Sequence, residues 1–318
     1  MKKLFALVLS IAMLLGAMSA LAAEPFSVGF AQIGQESGWR DAETASIKET
    51  FEAAQEAGEL TFYFSDAQQK QENQIAAIRN FINQGVDVIG LAPVVTTGWG
   101  AVFQEAKDAG IPIVLLDREV EPEFEDLYDC FIGSDFILEG QNGADAMAKL
   151  LNNKGNVVEL QGTVGASAAI DRQKGFMDQI EEKYPDIKVI ATQSGDFTRA
   201  GGKEVMESFL KTYSGEINGV YAHNDDMVLG AIEAIKEAGL QPGKDIVTVS
   251  MDGVRDIFVA MAAGEANCTV ECNPLLGPQF LEVCRKLVAG EPVEKWVKSE
   301  ESVYFSDTAE QDLPNRKY

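Results

Sequence analysis

Residues 71–118 read QENQIAAIRNFINQGVDVIGLAPVVTTGWGAVFQEAKDAGIPIVLLDR, and this stretch decides the fold. Ile75, Ile78, Phe81 and Ile82 recur at helical spacing across Gln71–Gln84, and Gly85 then stops the helix. The apolar run Val86–Leu91 follows and ends at Pro93. A second helical stretch, Gly98–Ala109, stops at Gly110 before a second apolar run, Ile111–Leu116, which ends at Asp117-Arg118. Short apolar strands alternating with helices of about 10–15 residues predict βαβ units and a parallel sheet.

The rhythm continues in both directions. Upstream, Val28–Phe30 leads to Gln32, and Leu60–Phe64 to Asp66. Downstream, Val157–Leu160 ends at Gln161-Gly162, and Val189–Ala191 leads to Gly195-Asp196-Phe197. Val220-Tyr221 leads to Asn224-Asp225, and Ile246–Val249 to Asp252-Gly253. Helical stretches lie between them at Ala42–Ala57, Glu139–Leu151, Arg172–Glu182, Gly201–Tyr213, Met227–Gly239 and Val254–Gly264. Ligands of open parallel sheets bind outside the carboxyl ends of the strands. Two such series predict an α/β chain of two doubly wound, Rossmann-like domains whose polar edges face each other across a cleft. No Pro/Ser-rich tether divides them. The expected crossings are Tyr128–Ser134, Asn267–Asn273 and the region near Ser302–Phe305, which would return the helix Leu276–Val288 to the first domain.

Residues 1–22 read as a signal peptide: Lys2 and Lys3, the apolar run Leu4–Met18, then Ala20-Leu21-Ala22 as a cleavage site. That predicts export with removal of the segment rather than anchoring. The formal charge of −24 repels nucleic acid and anionic lipid, so neither is an expected partner. Cys130, Cys268, Cys272 and Cys284 fall in the exported part, as disulfides or as buried thiols. The single histidine, His223, and the lack of CxxC spacing speak against zinc. No metal and no cofactor is expected. Nor is a catalytic site, because the sequence has no nucleophile elbow, phosphate loop or paired histidines. The strand ends instead offer arginines, carboxylates, amides and aromatics. That mixture suits a sugar, whose hydroxyls donate and accept and whose C–H faces stack on rings.

Several stretches carry a resemblance at this point: Ser37-Gly38-Trp39-Arg40, Gln68–Gln74, Leu115–Arg118, Val158–Gly175, Gln193–Arg199, Tyr221–Met227 and Met251-Asp252-Gly253. In order and spacing they resemble the periplasmic substrate-binding proteins of sugar ABC transporters, of the ribose/galactose type. The resemblance is greatest to the galactofuranose binders. It implies the type I periplasmic-binding-protein fold with a three-segment hinge. The lobes would be 26–133 with 274–302, and 134–273 with 303–318. It implies a monomer that traps a monosaccharide by hinge closure and delivers it to a membrane permease. Carried over by position, Trp39, Arg40, Asp117 and Arg118 would contact the sugar from the first lobe. Arg172, Phe197, Asn224 and Asp252 would do so from the second; some sugar binders of this type place an amide on a crossing, and Asn273 or Glu271 could do that job here. The match departs from the ribose binders at Ala92, and at Trp39-Arg40 where those proteins place paired aromatics, so galactofuranose is preferred over ribose.

Plainer readings stand beside these. Trp39 and Phe197 could be core, Arg172 a solvated helix residue, Asn224 a helix N-cap, and Asp252-Gly253 a turn. His223 reads as a packed or capping residue. A ligand-binding partner of a signalling receptor is the alternative to a transport component.

Overall fold

The computed structural model describes residues 25–318, so the signal-peptide reading lies outside the described residues. The first lobe is built on β1 (Phe26–Gln32), β2 (Leu60–Asp66), β3 (Val88–Leu91), β4 (Ile113–Leu116) and β5 (Cys130–Gly133), with β11 (Trp296–Lys298) at one edge. The second is built on β6 (Gly155–Gln161), β7 (Ile187–Ser194), β8 (Gly219–Ala222), β9 (Val247–Asp252) and β10 (Cys268–Glu271), edged by β12 (Val303–Phe305). The two sheets run β2-β1-β3-β4-β5-β11 and β7-β6-β8-β9-β10-β12, the same order twice. Only the β10–β12 pairing is antiparallel. In each sheet the chain winds one way and then the other, so the switch points fall between β1 and β3 and between β6 and β8. Such a switch point leaves a crevice at the carboxyl ends of its strands.

Every residue of β3, β4, β5 and β8 is buried, because helices cover both faces of a parallel sheet. The helices of the first lobe are α1 (Gly38–Glu56), α2 (Gln71–Gln84) and α3 (Gly100–Asp108). The second has α4 (Phe136–Leu150), α5 (Ser167–Lys183), α6 (Arg199–Thr212), α7 (Asp225–Glu237) and α8 (Arg255–Ala262). They are followed by α9 (Gly277–Val288) and α10 (Ala309–Asp312). Helix α9 packs on the first sheet: a Cβ at Gly90 of β3 would lie 2.3 Å from the Phe280 ring. Among the described residues no helix is long and apolar enough to cross a membrane.

Three segments pass between the sheets: β5 to α4 through Ser134, β10 to α9 through Cys272-Asn273, and β11 to β12 through residues 299–302. They meet at one carboxyl group. Glu301 Oε1 accepts a short hydrogen bond from Ser134 Oγ and a longer one, 3.4 Å, from the Asn273 N–H. Burial, then the neighbouring Glu139, pushes the Glu301 carboxyl up to about 9.

Candidate functional site

The cleft is closed. Trp39 Nε1 donates to Cys272 O across it at 2.6 Å, and the Gly38 N–H to Asp226 Oδ2 at 2.8 Å. The N–H groups of Thr96 and Glu119 reach Gly165 O and Ser167 Oγ, each at 2.9 Å. Between the lobes lies a narrow slot with a cavity volume of about 20 Å³, little more than one water needs.

On the first-lobe side, Ser37 caps α1 by accepting from the Arg40 N–H at 3.2 Å. The cap starts the helix at Gly38, four residues before the Ala42 expected from apolar periodicity, and so places Trp39 and Arg40 in its first turn. Arg40 is buried and gives short charge-assisted bonds to Glu43 and Asp117, with Glu36 at 3.3 Å. Burial alone would lower its pKa, but Glu43, Asp117 and Glu36 outweigh that and hold it well above the usual value. Arg118 donates to Glu36 Oε1 at 2.6 Å and lies 5.0 Å from the centre of the Phe197 ring, a ring of the opposite lobe. Its Nε has no hydrogen-bond partner, standing 3.7 Å from Asp117 Oδ2. Burial, and the nearby Arg40 and Arg172, lower the Arg118 pKa.

On the second-lobe side, Arg172 projects from α5, which begins at Ser167 rather than at Arg172 itself. The added turn is Ser167-Ala168-Ala169, small residues without apolar periodicity but narrow enough to approach the first lobe. Arg172 is buried, not solvated. It donates to Glu139 Oε2 and to His223 O, each at 2.6 Å, and its remaining nitrogen stands 3.8 Å from Asp252 Oδ1. Asn224 is indeed the N-cap of α7, accepting from the Met227 N–H, and its amide also donates to Phe197 O at 2.9 Å. It lines the slot as well, so the capping and cleft readings describe one residue. Phe197 both belongs to the core and lines the slot. A Cβ at Gly162 would fall 1.9 Å from its ring, so only glycine fits beneath it.

Three slot-lining residues have left-handed backbones: Asp117 at φ 63°, Phe197 at φ 61° and Asp252 at φ 111°. Non-glycine residues rarely adopt such angles outside sites where the fold over-determines them. Trp39, Arg40, Asp117, Arg118, Arg172, Phe197, Asn224 and Asp252 all meet in this slot. Asn273 does not line it. Its Oδ1 accepts from the Leu275 N–H at 2.9 Å, which turns that oxygen to its own loop before the next helix. Cys272 takes the place on the second crossing. Glu36, Ser37 and Ala168 also line the slot without having been singled out from sequence. The capping pattern Glu36-Ser37 just after β1 is the signal that could have found the first two.

His223 is fully buried behind the slot, with Nε2 3.0 Å from Glu159 Oε1 and Nδ1 accepting from the Gly162 N–H. Burial lowers its pKa despite Glu159, so it is a packed neutral residue. All four cysteines are buried thiols. Potential ligand atoms of Glu139, Cys272 and Glu301 lie within 4.8 Å of one another; Arg172 engages Glu139 Oε2 and Ser134 engages Glu301 Oε1.

Two α/β lobes of repeated topology, three crossings and a slot lined from both sides define a two-lobed solute trap. The chain belongs to the periplasmic binding protein family: the family model "Periplasmic binding protein domain" matches residues 28–292. It is 53% identical over 309 residues to the galactofuranose-binding protein of Escherichia coli (strain K12), covering 95% of each chain. A Mycobacterium smegmatis structure in complex with β-D-fucofuranose is 50% identical with a TM-score of 0.87, covering 92% of this chain and 95% of that one. The periplasmic binding protein component of the arabinose ABC transporter from Shewanella sp. ANA-3, bound to α- and β-L-arabinofuranose, is 46% identical with a TM-score of 0.86 and the same coverage. The family model and the Escherichia coli and Shewanella relatives are described as binding proteins, and the chain is a binding protein of this family rather than an enzyme.

Proposed function

We propose that this protein is the solute-binding component of an ABC importer, exported by removal of residues 1–22, and that it captures a monosaccharide in its furanose form, galactofuranose first. The observation that carries the reading is the slot itself. Arg40, Arg118 and Arg172 face Glu36, Asp117 and Asp252 there, between Trp39 and Phe197. Three guanidinium groups against three carboxylates suit a neutral polyol rather than an ion. The three furanose-binding relatives support the ring form. The sugar's hydroxyls would take over hydrogen bonds that the arginines now give to carboxylates, which widens a slot that is narrow as it stands.

The lobes of this reading are 26–133 with 274–302 and 134–273 with 303–318, working as a monomer that docks on the permease when closed. Calorimetry of the mature protein with D-galactose at mutarotation equilibrium, L-arabinose, D-ribose and D-fructose tests it. Binding of D-galactose or L-arabinose, with an apparent affinity that tracks the furanose fraction, is the expected result. Preference for D-ribose, or no sugar binding at all, overturns the reading.

A further inference from the structure

Asp252 carries the most strained backbone in the slot, and something must hold it there. The peptide that follows is clamped from both ends. The N–H groups of Gly253 and Val254 donate to Asp225 Oδ2 at 2.7 and 2.9 Å. The carbonyl oxygen of Gly253 accepts from Arg316 at 2.7 Å. Arg316 belongs to the segment after α10, far from the site in sequence, and no motif pointed to it.

The Arg316 side chain is more than nine-tenths buried, and its guanidinium sits among three rings, Phe258, Tyr304 and Tyr318, at 4.8, 5.1 and 4.7 Å from their centres. A second nitrogen donates to Glu271 Oε1 at 2.8 Å, and Tyr318 Oη donates to the same oxygen at 3.0 Å. Glu271 is the register partner of Asp252 in the β9–β10 pairing and immediately precedes Cys272. Cys272 in turn donates its N–H to Asp252 O at 3.1 Å and accepts the indole N–H of Trp39 from the other lobe. One guanidinium therefore ties the Asp252-Gly253 turn to the second crossing.

We infer that Arg316 is a positioning residue: it fixes the Asp252 carboxylate and the Cys272 carbonyl in the geometry that the closed, ligand-holding form requires. The inference rests on the cleft reading above. It adds that the segment 313–318 is part of the binding machinery, not a passive end.

Arg316→Gln and Arg316→Lys test it in the full mature chain. Lys keeps the charge among the rings but cannot reach both Gly253 O and Glu271 as a fork. Expected for Arg316→Gln is a D-galactose Kd raised about tenfold or more, partly restored by millimolar guanidinium, with Arg316→Lys intermediate. Independently of any ligand, hydrogen exchange at the Gly253 and Val254 amides should quicken in both variants while exchange in β6 and β8 does not. A support that is merely structural would lower Tm and leave the Kd of the folded protein and the local exchange pattern unchanged; that result overturns the inference. Arg316→Lys carries the test should Arg316→Gln not fold. Asp252→Asn in the same titration separates the two readings. Lost binding there with wild-type binding and exchange in the Arg316 variants sinks the positioning role alone. Unaltered binding in Asp252→Asn sinks the cleft reading.

Discussion

Arg172 is the side chain on which two tasks collide. It stands 3.8 Å from Asp252 on the second-lobe wall of the slot and neutralises Glu139 behind it. Burial raises the Glu139 carboxyl, and Arg172 lowers it. Removing one partner of a buried ion pair costs about 3–5 kcal/mol because the other charge is stranded. Arg172→Ala should therefore lose stability as well as ligand, so affinity alone would misreport its role. Arg172→Lys keeps the charge and loses the planar fork. Its expected signature is a sugar Kd at least about tenfold weaker with a smaller fall in Tm than Arg172→Ala. Equal affinity to wild type by calorimetry would remove Arg172 from the site. Phe197 gives a second test from its other side. Gly162→Ala puts a methyl where the ring lies, 1.9 Å away, so the ring must move. Overpacking of this kind costs about 1–3 kcal/mol. Calorimetry should show weakened sugar binding in that variant, and unchanged affinity would mean that Phe197 does not stack on the ligand.

At the scale of elements, the sheets were legible because buried parallel strands are written as short apolar runs between glycine-stopped helices. Helix starts were less legible. A start is set by a cap and by small residues, which carry no apolar period. For α1 that meant Ser37, and for α5 it meant the Ser167-Ala168-Ala169 turn. Strand β11 was missed because its three residues, Trp296–Lys298, are largely exposed and follow no alternation long enough to read. Slot-lining residues at strand ends could be placed by register, whereas the direction of the Asn273 side chain could not, since its Oδ1 turns to the Leu275 N–H. The α1 cap has a measurable consequence. Ser37→Ala removes the acceptor for the Arg40 N–H, and such a loss typically costs about 1 kcal/mol. Trp39 and Arg40 ride on that same turn. The variant should melt a few degrees lower and bind sugar more weakly than its stability loss explains. A Tm decrease with wild-type Kd would show that the turn is held by Arg40's ion pairs instead.

For the whole molecule, the balance between open and closed forms is the quantity that matters. A ligand moves a hinge only by its preference for one form, and a swing from 1:99 to 99:1 takes about 5.5 kcal/mol. Protons bear on the same balance. Beside the slot, the closed lobes enclose a second, acidic cavity lined by Glu119, Glu121, Glu125 and Tyr128 from the first lobe and by Asp171 from the second. Asp135 adds to the field there, although Lys298 pairs with it at 2.8 Å. The other nearby cations are already engaged: Lys174 with Asp178, and Lys295 against the Tyr128 ring. Burial first, then Asp171, Asp135 and Glu125, push the Glu119 carboxyl up to about 7 from its ordinary 4.5. Asp171 is raised too, by burial and then Asp135, against the pull of Lys174. Opening the cleft returns water to these groups and separates them, so the closed form binds protons more tightly than the open one. A raised pKa in the closed form means that the favourable contribution is fully present below the open-form value and is lost as pH rises through about 7. Sugar affinity should accordingly fall several-fold between pH 5.5 and 8, damped because Glu119 is only partly buried and water screens it. Glu119→Gln, neutral at every pH, should flatten that profile and bind more tightly than wild type at pH 8. A wild-type Kd independent of pH over this range, or a Glu119→Gln profile identical to it, would show that the acidic cavity does not bear on closure.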